Sequence, residues 1–176
     1  MTVSEKLNQS IRDIPDFPKP GIIFKDITPV LSNPSLVKEI VDWFAEKAKE
    51  QDIDVIVGVE SRGFLFGMLI AERLGIPFVP VRKEGKLPYK TVKHAYSLEY
   101  GSASMEIHED ALKPGQRVMI HDDLLATGGT AEAAAILVEK LGAVACNFTF
   151  LIELGFLEGR LKLKSHNESI HSIVSF

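Results

Sequence analysis

The chain has 176 residues, 45% hydrophobic and 25% charged, with Lys plus Arg 20 against Asp plus Glu 24, a formal charge of -4. That is the size and balance of one ordinary globular domain, 1–176, and its acidic sign argues against a broad basic face for duplex DNA. The only cysteine, Cys146, excludes an internal disulfide framework, no apolar run reaches membrane-helix length, and the start MTVSEKLNQS lacks a secretory pattern. A cytoplasmic, single-domain protein with no nucleic-acid or membrane partner is the expectation.

In chain order, Val3, Leu7, Ile11 and Ile14 recur at helical spacing and predict a short amphipathic helix. Pro15, Pro18, Pro20 and Gly21 then impose an extended segment up to Phe24. Ser35 is the expected cap of a second helix with Leu36, Ile40, Val41 and Phe44 facing inward. Val55 to Val59 is a β-branched run that reads as a strand buried on both faces. Gly63 to Leu74 reads as a helix closed by Gly75, and Phe78 to Val81 as a short strand.

Lys83 to Ala95 carries Lys83, Lys86, Lys90 and Lys93 with Gly85 and Pro88 and has no apolar period. It predicts a mobile surface loop of the kind that serves as a lid. Tyr96 to Tyr100 and Met105 to His108 are expected to pair as a hairpin around Gly101 and Ser102. Lys113-Pro114-Gly115 makes a turn, Val118 to Ile120 a buried strand, Thr130 to Leu141 a helix stopped by Gly142, and Val144 to Ile152 a long strand. This repeated strand–helix–strand order implies a parallel sheet with helices on both faces.

Ligands of such sheets bind at the carboxyl ends of the strands. Glu60-Ser61-Arg62-Gly63 follows one buried strand, and an arginine there has no evident partner except an anion. His121-Asp122-Asp123-Leu124-Leu125-Ala126-Thr127-Gly128-Gly129-Thr130 follows another. Glycines at a helix start let amides converge on a phosphate, and the aspartates beside them suit sugar hydroxyls or Mg²⁺. Each half alone is equally a turn or a solvated acid pair; together they describe a sugar-phosphate site. No P-loop, dinucleotide fingerprint or nucleophile elbow is present.

VMIHDDLLATGGT, Val118 to Thr130, resembles the phosphoribosyl-diphosphate motif of type I phosphoribosyltransferases. Asp16 to Leu31, Glu60 to Phe64, Arg82 to Pro88 and Tyr96 to Gly101 are similar, in order, to segments of the adenine phosphoribosyltransferases. The resemblance implies an α/β, type I phosphoribosyltransferase-like fold: a central mostly parallel sheet with helices on both faces, a small N-terminal hood over roughly 1–34 and a flexible lid loop over 83–95.

It also implies the reaction of adenine with phosphoribosyl diphosphate to give AMP and pyrophosphate. Ala126, Thr127, Gly128, Gly129 and Thr130 would then hold the 5′-phosphate, and Asp122 with Asp123 the ribose hydroxyls. Glu60, Ser61, Arg62, Arg82, Lys83 and Lys86 would form the pyrophosphate site. Adenine would lie between Phe24 and Leu125, its edge met by main-chain groups of Ile23 and Lys25; apart from the resemblance, core packing is a comparable reading of Phe24. Glu99 would accept the proton that adenine loses.

The implied cofactor is Mg²⁺, carried mainly by the substrate, with Asp122 and Asp123 the protein groups within reach and no metal ligand firmly assigned. A homodimer is implied too, with Phe64 to Leu74 equally readable as interface or as core. His121 departs from the family's aliphatic residue there; it reads as a hydrogen-bonded core histidine, beside carboxylates whose binding it could make pH-dependent. Alternatives are a phosphoribosyltransferase for a 6-oxopurine and a non-catalytic purine or phosphoribosyl-diphosphate sensor.

Overall fold

The computed structural model describes residues 1–98 and 101–176, with the backbone alone at 97, 98, 101 and 102. Helix α1 (Val3–Ser10) begins with a reciprocal cap, Thr2 Oγ1 accepting the Glu5 amide and Glu5 Oε2 accepting the Thr2 amide. It ends earlier than its apolar spacing suggests. Ile14 lies not on the helix but in strand β1 (Arg12–Pro15), which pairs antiparallel with β2 (Ile23–Asp26). The proline-rich stretch is the turn of this hairpin, closed where the Gly21 amide donates to Asp16 Oδ1 at 2.7 Å. Helix α2 (Thr28–Leu31) leads to α3 (Pro34–Lys49). The α3 cap is Asn33, not Ser35: the Asn33 side chain accepts the Leu36 amide at 3.1 Å and Pro34 takes the first helical position.

Beyond α3 the chain alternates as expected, through β3 (Val55–Val59), α4 (Gly63–Leu74) and β4 (Phe78–Lys83). Then come β5 (Thr91–Leu98), β6 (Gly101–His108), β7 (Arg117–Leu125), α5 (Gly129–Lys140) and β8 (Val144–Glu153). A last pair, α6 (Gly159–Leu163) and β9 (Ile170–Ser175), was not foreseen. The seven strands from β3 onward form one sheet in the order β5-β6-β4-β3-β7-β8-β9. It is parallel from β4 to β9 and antiparallel where β6 joins β4 and β5.

Alternation along the buried strands divides the core. Val55, Val57, Val59, Val118 and Ile120 pack on one face with Ala134, Leu137 and Val138 of α5. Ile56 and Met119 pack on the other with Leu7, Ile40, Phe44, Phe66 and Ile70 of α1, α3 and α4. Helices therefore cover both faces, as the strand–helix rhythm requires.

The lid expectation needs correction. Only the stretch between β4 and β5 lacks strand or helix; Thr91 to Ala95 is strand, paired from Thr91 opposite His108 to Leu98 opposite Gly101. Gly101 and Ser102 thus belong to β6 and not to the bend. One face of 91–95, through Val92, packs against the core while Lys93 and Ala95 are exposed, so the apolar signal is too short and too sparse to mark a strand. Among the described residues no helix is long and apolar enough to cross a membrane.

Candidate active site

The carboxyl ends of β3, β4 and β7 lie side by side, because β3 is flanked by the other two. Gly63 sets how closely α4 approaches β7: a Cβ there would stand 2.7 Å from the His121 carbonyl oxygen. This approach carries Arg62, the residue before α4, onto β7. Its Nε lies 2.9 Å from Asp123 Oδ2, so the arginine read as lacking any partner but an anion is held by a carboxylate. The guanidinium also sits 5.1 Å from the Phe24 ring centroid.

Asp122 and Asp123 stand inside β7, which runs on to Leu125, rather than at its end. The Asp123 amide donates to Asp122 Oδ1 at 2.8 Å. Asp123 is buried, and its Oδ2 has charge contact with Arg62 but no aligned hydrogen bond. Burial pushes both carboxyls above their ordinary range; their mutual repulsion adds to this at Asp122, whereas Arg62 opposes it at Asp123. Arg62 and nearby backbone amides offset only part of that burial, which leaves the pair with room for further donors and positive charge. Sugar hydroxyls supply the first and a cation the second.

Ala126 to Thr130 wrap a cavity of about 70 Å³ with Asp122, Leu124, Leu125 and Ala131. Gly128 precedes α5 in a left-handed conformation (φ 84°), and its own flank abuts Gly159, whose carbonyl oxygen would lie 2.5 Å from any Cβ. A Cβ at Gly159 would in turn run into the Ala126 carbonyl and the Gly128 amide. The loop's shape therefore depends on backbone against backbone, with α6 as its support. Above it the Tyr96 hydroxyl of β5 lies 3.3 Å from Thr130 Oγ1.

On β4, Arg82 forks onto Glu60 with Nη2–Oε1 3.1 Å and Nε–Oε2 3.3 Å, and Glu60 also accepts the Lys83 amide at 2.9 Å. Burial pushes the Glu60 carboxyl up, and these donors bring it below its ordinary value. An anionic Glu60 repels pyrophosphate, so its part here is to fix Arg82 and Lys83. Ser61 is exposed, its carbonyl accepting the Phe64 amide at 3.1 Å. Lys83 is exposed, and the Lys86 charge is near enough to acidify Glu60.

In the hood, Phe24 is half-buried against Phe17, with ring centroids 5.3 Å apart. Ile23 and Lys25 point to the other side of β2, where Lys25 Nζ meets Asp13 at 2.7 Å and lies 3.7 Å from the Phe176 ring centroid. Leu125 is 1% exposed and packs in the core beside Gly159. It lines the cavity at 126–130 and offers no open face to a base. Glu99 lies outside the described residues.

His121 does sit in the core, with Nδ1 3.0 Å from Thr149 Oγ1 and its ring against Phe44. Its Nε2 has no partner, so it is only half satisfied. Burial lowers its pKa to about 3, so the ring stays neutral above that value. Among the described residues no three His, Cys, Asp or Glu side chains converge as a metal site.

Two residues escaped the sequence reading. Gly159 gives no local signal, since it is one of two glycines in a mixed apolar and charged stretch, with Gly155 four residues before it. Glu106 is buried between Met105 and Ile107, and an acid inside an apolar strand was a signal that could have been taken up.

A family model described as the phosphoribosyl transferase domain matches residues 26–153. The adenine phosphoribosyltransferase of Nitrosococcus oceani is 52% identical over 172 residues, 98% of this chain and 99% of that protein. The crystal structure of the Thermoanaerobacter pseudethanolicus adenine phosphoribosyltransferase is similar with a TM-score of 0.94 at 51% identity, covering 98% of this chain and 99% of that one. The Saccharomyces cerevisiae enzyme, complexed with an iminoalditol bisphosphate and adenine, gives a TM-score of 0.92 at 44% identity, with 98% of each chain covered.

Proposed function

The chain belongs to the adenine phosphoribosyltransferases, and we propose how its residues divide the work. The reaction transfers the phosphoribosyl group of phosphoribosyl diphosphate to adenine, giving AMP and pyrophosphate in purine salvage. Neither a 6-oxopurine enzyme nor a non-catalytic sensor accounts for that kinship.

The observation that carries the assignment of roles is the juxtaposition of the small cavity at 126–130, which opens at the start of α5, with the Arg62–Asp123 pair. A 5′-phosphate fits the loop, where the helix start supplies amides and positive potential. The ribose hydroxyls then reach Asp122 and Asp123, and donor binding releases Arg62 from Asp123 toward the pyrophosphate. Arg62, Lys83 and Lys86 meet that leaving group directly, with Arg82 braced by Glu60. As the bond from C1 to the pyrophosphate oxygen breaks, the electron pair leaves with pyrophosphate and adenine N9 bonds to C1. Glu99 accepts the N9 proton. Charge accumulating on the leaving group is met by fixed cations, usually a large catalytic contribution.

Asp123 Oδ2, which has the Arg62 charge beside it but no aligned hydrogen bond, and the adjacent buried carboxyl of Asp122 fit a divalent cation once Arg62 moves away, while two carboxylates alone make no closed cage. Mg²⁺ would therefore be shared between these aspartates and the donor's oxygens, and when bound it supplies charge neutralisation of the departing pyrophosphate.

Adenine takes the Phe24 side of the hood. The hood strand β2 has a strand partner on one edge only, and Ile23 and Lys25 present main-chain groups to a common edge of it. A homodimer is supported by α4, whose inner face is core whereas Leu65, Met68 and Leu69 are exposed on its outer face. A buried free Cys146 suits the cytoplasm.

The test is ligand binding by Gly128→Val and turnover by Glu99→Gln. The first should weaken AMP and phosphoribosyl diphosphate alike. The second should lower kcat with donor affinity retained. Unchanged AMP affinity, or a rise only in the donor KM, respectively, overturns the two assignments.

A further inference from the structure

Between β4 and β5 the chain makes an irregular turn that carries Lys86, and its shape is set by what its main chain bonds to. The Lys86 and Leu87 amides both donate to Glu106 Oε1 at 2.9 Å, and Thr91 Oγ1 lies 3.3 Å from Glu106 Oε2. Successive amides aimed at one oxygen make an anion nest, here filled by the protein's own carboxylate. Glu106 is 2% exposed, on β6 directly opposite Arg82 of β4 and Lys93 of β5. Burial pushes its carboxyl up, but the amides of Leu87, Gly85 and Lys86 outweigh this and hold it ionised.

The other side of the turn is held as well. Arg82 Nη1 donates to the Lys86 carbonyl at 3.2 Å while the rest of its guanidinium grips Glu60. The Lys86 main chain is thus held at its amide by Glu106 at 2.9 Å, with a longer bond of 3.3 Å to the Lys83 carbonyl, and at its carbonyl by Arg82. The Glu84 amide adds a bond to the Ser104 carbonyl at 3.0 Å. An exposed lysine has a flexible stem, and a fixed backbone limits where its ammonium can reach. A buried carboxylate on a strand otherwise buried and apolar at this point is a costly group for a turn that a neutral side chain could also brace.

We propose that Glu106 is a positioning residue for the pyrophosphate half of the reaction. By ionic capture of the 86–87 amides it fixes the turn that leaves β4 after Lys83, so that Lys86 reaches the donor's pyrophosphate beside the Lys83 that β4 and Glu60 hold. This rests on the reading of those lysines as pyrophosphate ligands. Glu106 touches no substrate; it acts through the turn. AMP lacks the pyrophosphate and reaches neither lysine, so AMP affinity is independent of Glu106.

The experiment measures binding of phosphoribosyl diphosphate with Mg²⁺, and of AMP, by calorimetry. The proteins are the wild type, Glu106→Ala, Glu106→Gln, Lys83→Ala/Lys86→Ala and the triple variant. Glu106→Ala should raise the donor Kd by about tenfold or more, in line with loss of charge-assisted hydrogen bonds, and leave the AMP Kd within about twofold. Glu106→Gln, whose carbonyl can still accept both amides, should recover part of the loss. In the double-lysine background, Glu106→Ala should add less than about twofold, because the groups it positions are gone.

Donor binding that survives Glu106→Ala but fails in the double-lysine variant overturns the role of Glu106 alone. Donor binding that survives the double-lysine variant overturns the pyrophosphate reading, and the role of Glu106 with it. Should Glu106→Ala not fold, Glu106→Gln carries the same comparison: a donor-specific loss supports the proposal. An equal loss of AMP and donor affinity makes Glu106 merely structural.

Discussion

Arg62 Nε and Asp123 Oδ2 stand 2.9 Å apart, so the cation read as a pyrophosphate ligand and the acid read as a ribose ligand pair with each other. Asp123 is 3% exposed and Arg62 38% at the side chain, which makes this a half-buried pair. Removing one member leaves a buried charge behind.

Arg62→Ala should therefore destabilise the protein by about 1–2 kcal/mol, below the range for fully buried pairs because the guanidinium is partly solvated. Adding Asp123→Asn should restore most of that stability. Activity should not return, since both proposed ligand contacts are then missing. Urea denaturation and kcat/KM on the same variants check this; a double variant no more stable than Arg62→Ala would contradict it.

Gly159 touches no proposed ligand, yet it is the wall against which Gly128 closes. Gly159→Ala pushes a methyl into the Ala126 carbonyl and the Gly128 amide, so the phosphate loop must open or move. AMP affinity should fall about tenfold or more, the effect expected of overpacking a rigid site by about 1–3 kcal/mol. Titration of AMP decides it. Retained affinity would mean that the loop adapts without its support.

His121 gives a pH prediction. In the unfolded chain it protonates near 6.5, but in the folded core only at about 3. Between those values the unfolded state binds more protons, so His121 lowers stability as pH falls, by up to about 1.4 kcal/mol per pH unit. Substituting Val, which suits a buried strand, should flatten that part of the stability curve. Wild-type and His121→Val melts at pH 7 and pH 4.5 should converge or cross, with the variant relatively more stable at the lower pH. Parallel curves would show that the histidine is hydrated.

What the sequence made legible follows from where its signals are local. Val55 to Val59 and the helix stopped by Gly75 were readable because burial and chain reversal leave marks within a few residues. The turn into α5 at Gly128 and Gly129 was readable for the same reason. Ile14 was misread because its helical spacing is overridden by pairing with Phe24. The partner of Arg62 was invisible because Asp123 is distant in sequence and reaches it only through the Gly63 contact with β7. Leu125 was assigned to the base by motif order, but its side chain turns into the core. Gly159 and Glu106 act through tertiary approach alone.

The last prediction concerns the base. Adenine offers a donor at N6 and an acceptor at N1, whereas 6-oxopurines offer an acceptor at O6 and a donor at N1. A carbonyl and an amide from the common edge of Ile23 and Lys25 match the first pattern and oppose the second. Each buried mismatch costs about 1–3 kcal/mol, so two imply discrimination of about 10²- to 10⁴-fold in kcat/KM. Because backbone groups do the reading, substitutions of the Ile23 or Lys25 side chains should keep that ratio. Phe24 contributes differently: its ring faces Phe17 and the Arg62 guanidinium and offers a stacking surface indifferent to the base's edge. Phe24→Ala should lower kcat/KM for adenine and hypoxanthine together, by about tenfold, with their ratio preserved. Measuring both bases with one donor separates the two contributions. A Phe24→Ala variant that narrows the gap between adenine and hypoxanthine would show that the ring, and not the β2 backbone, sets the preference.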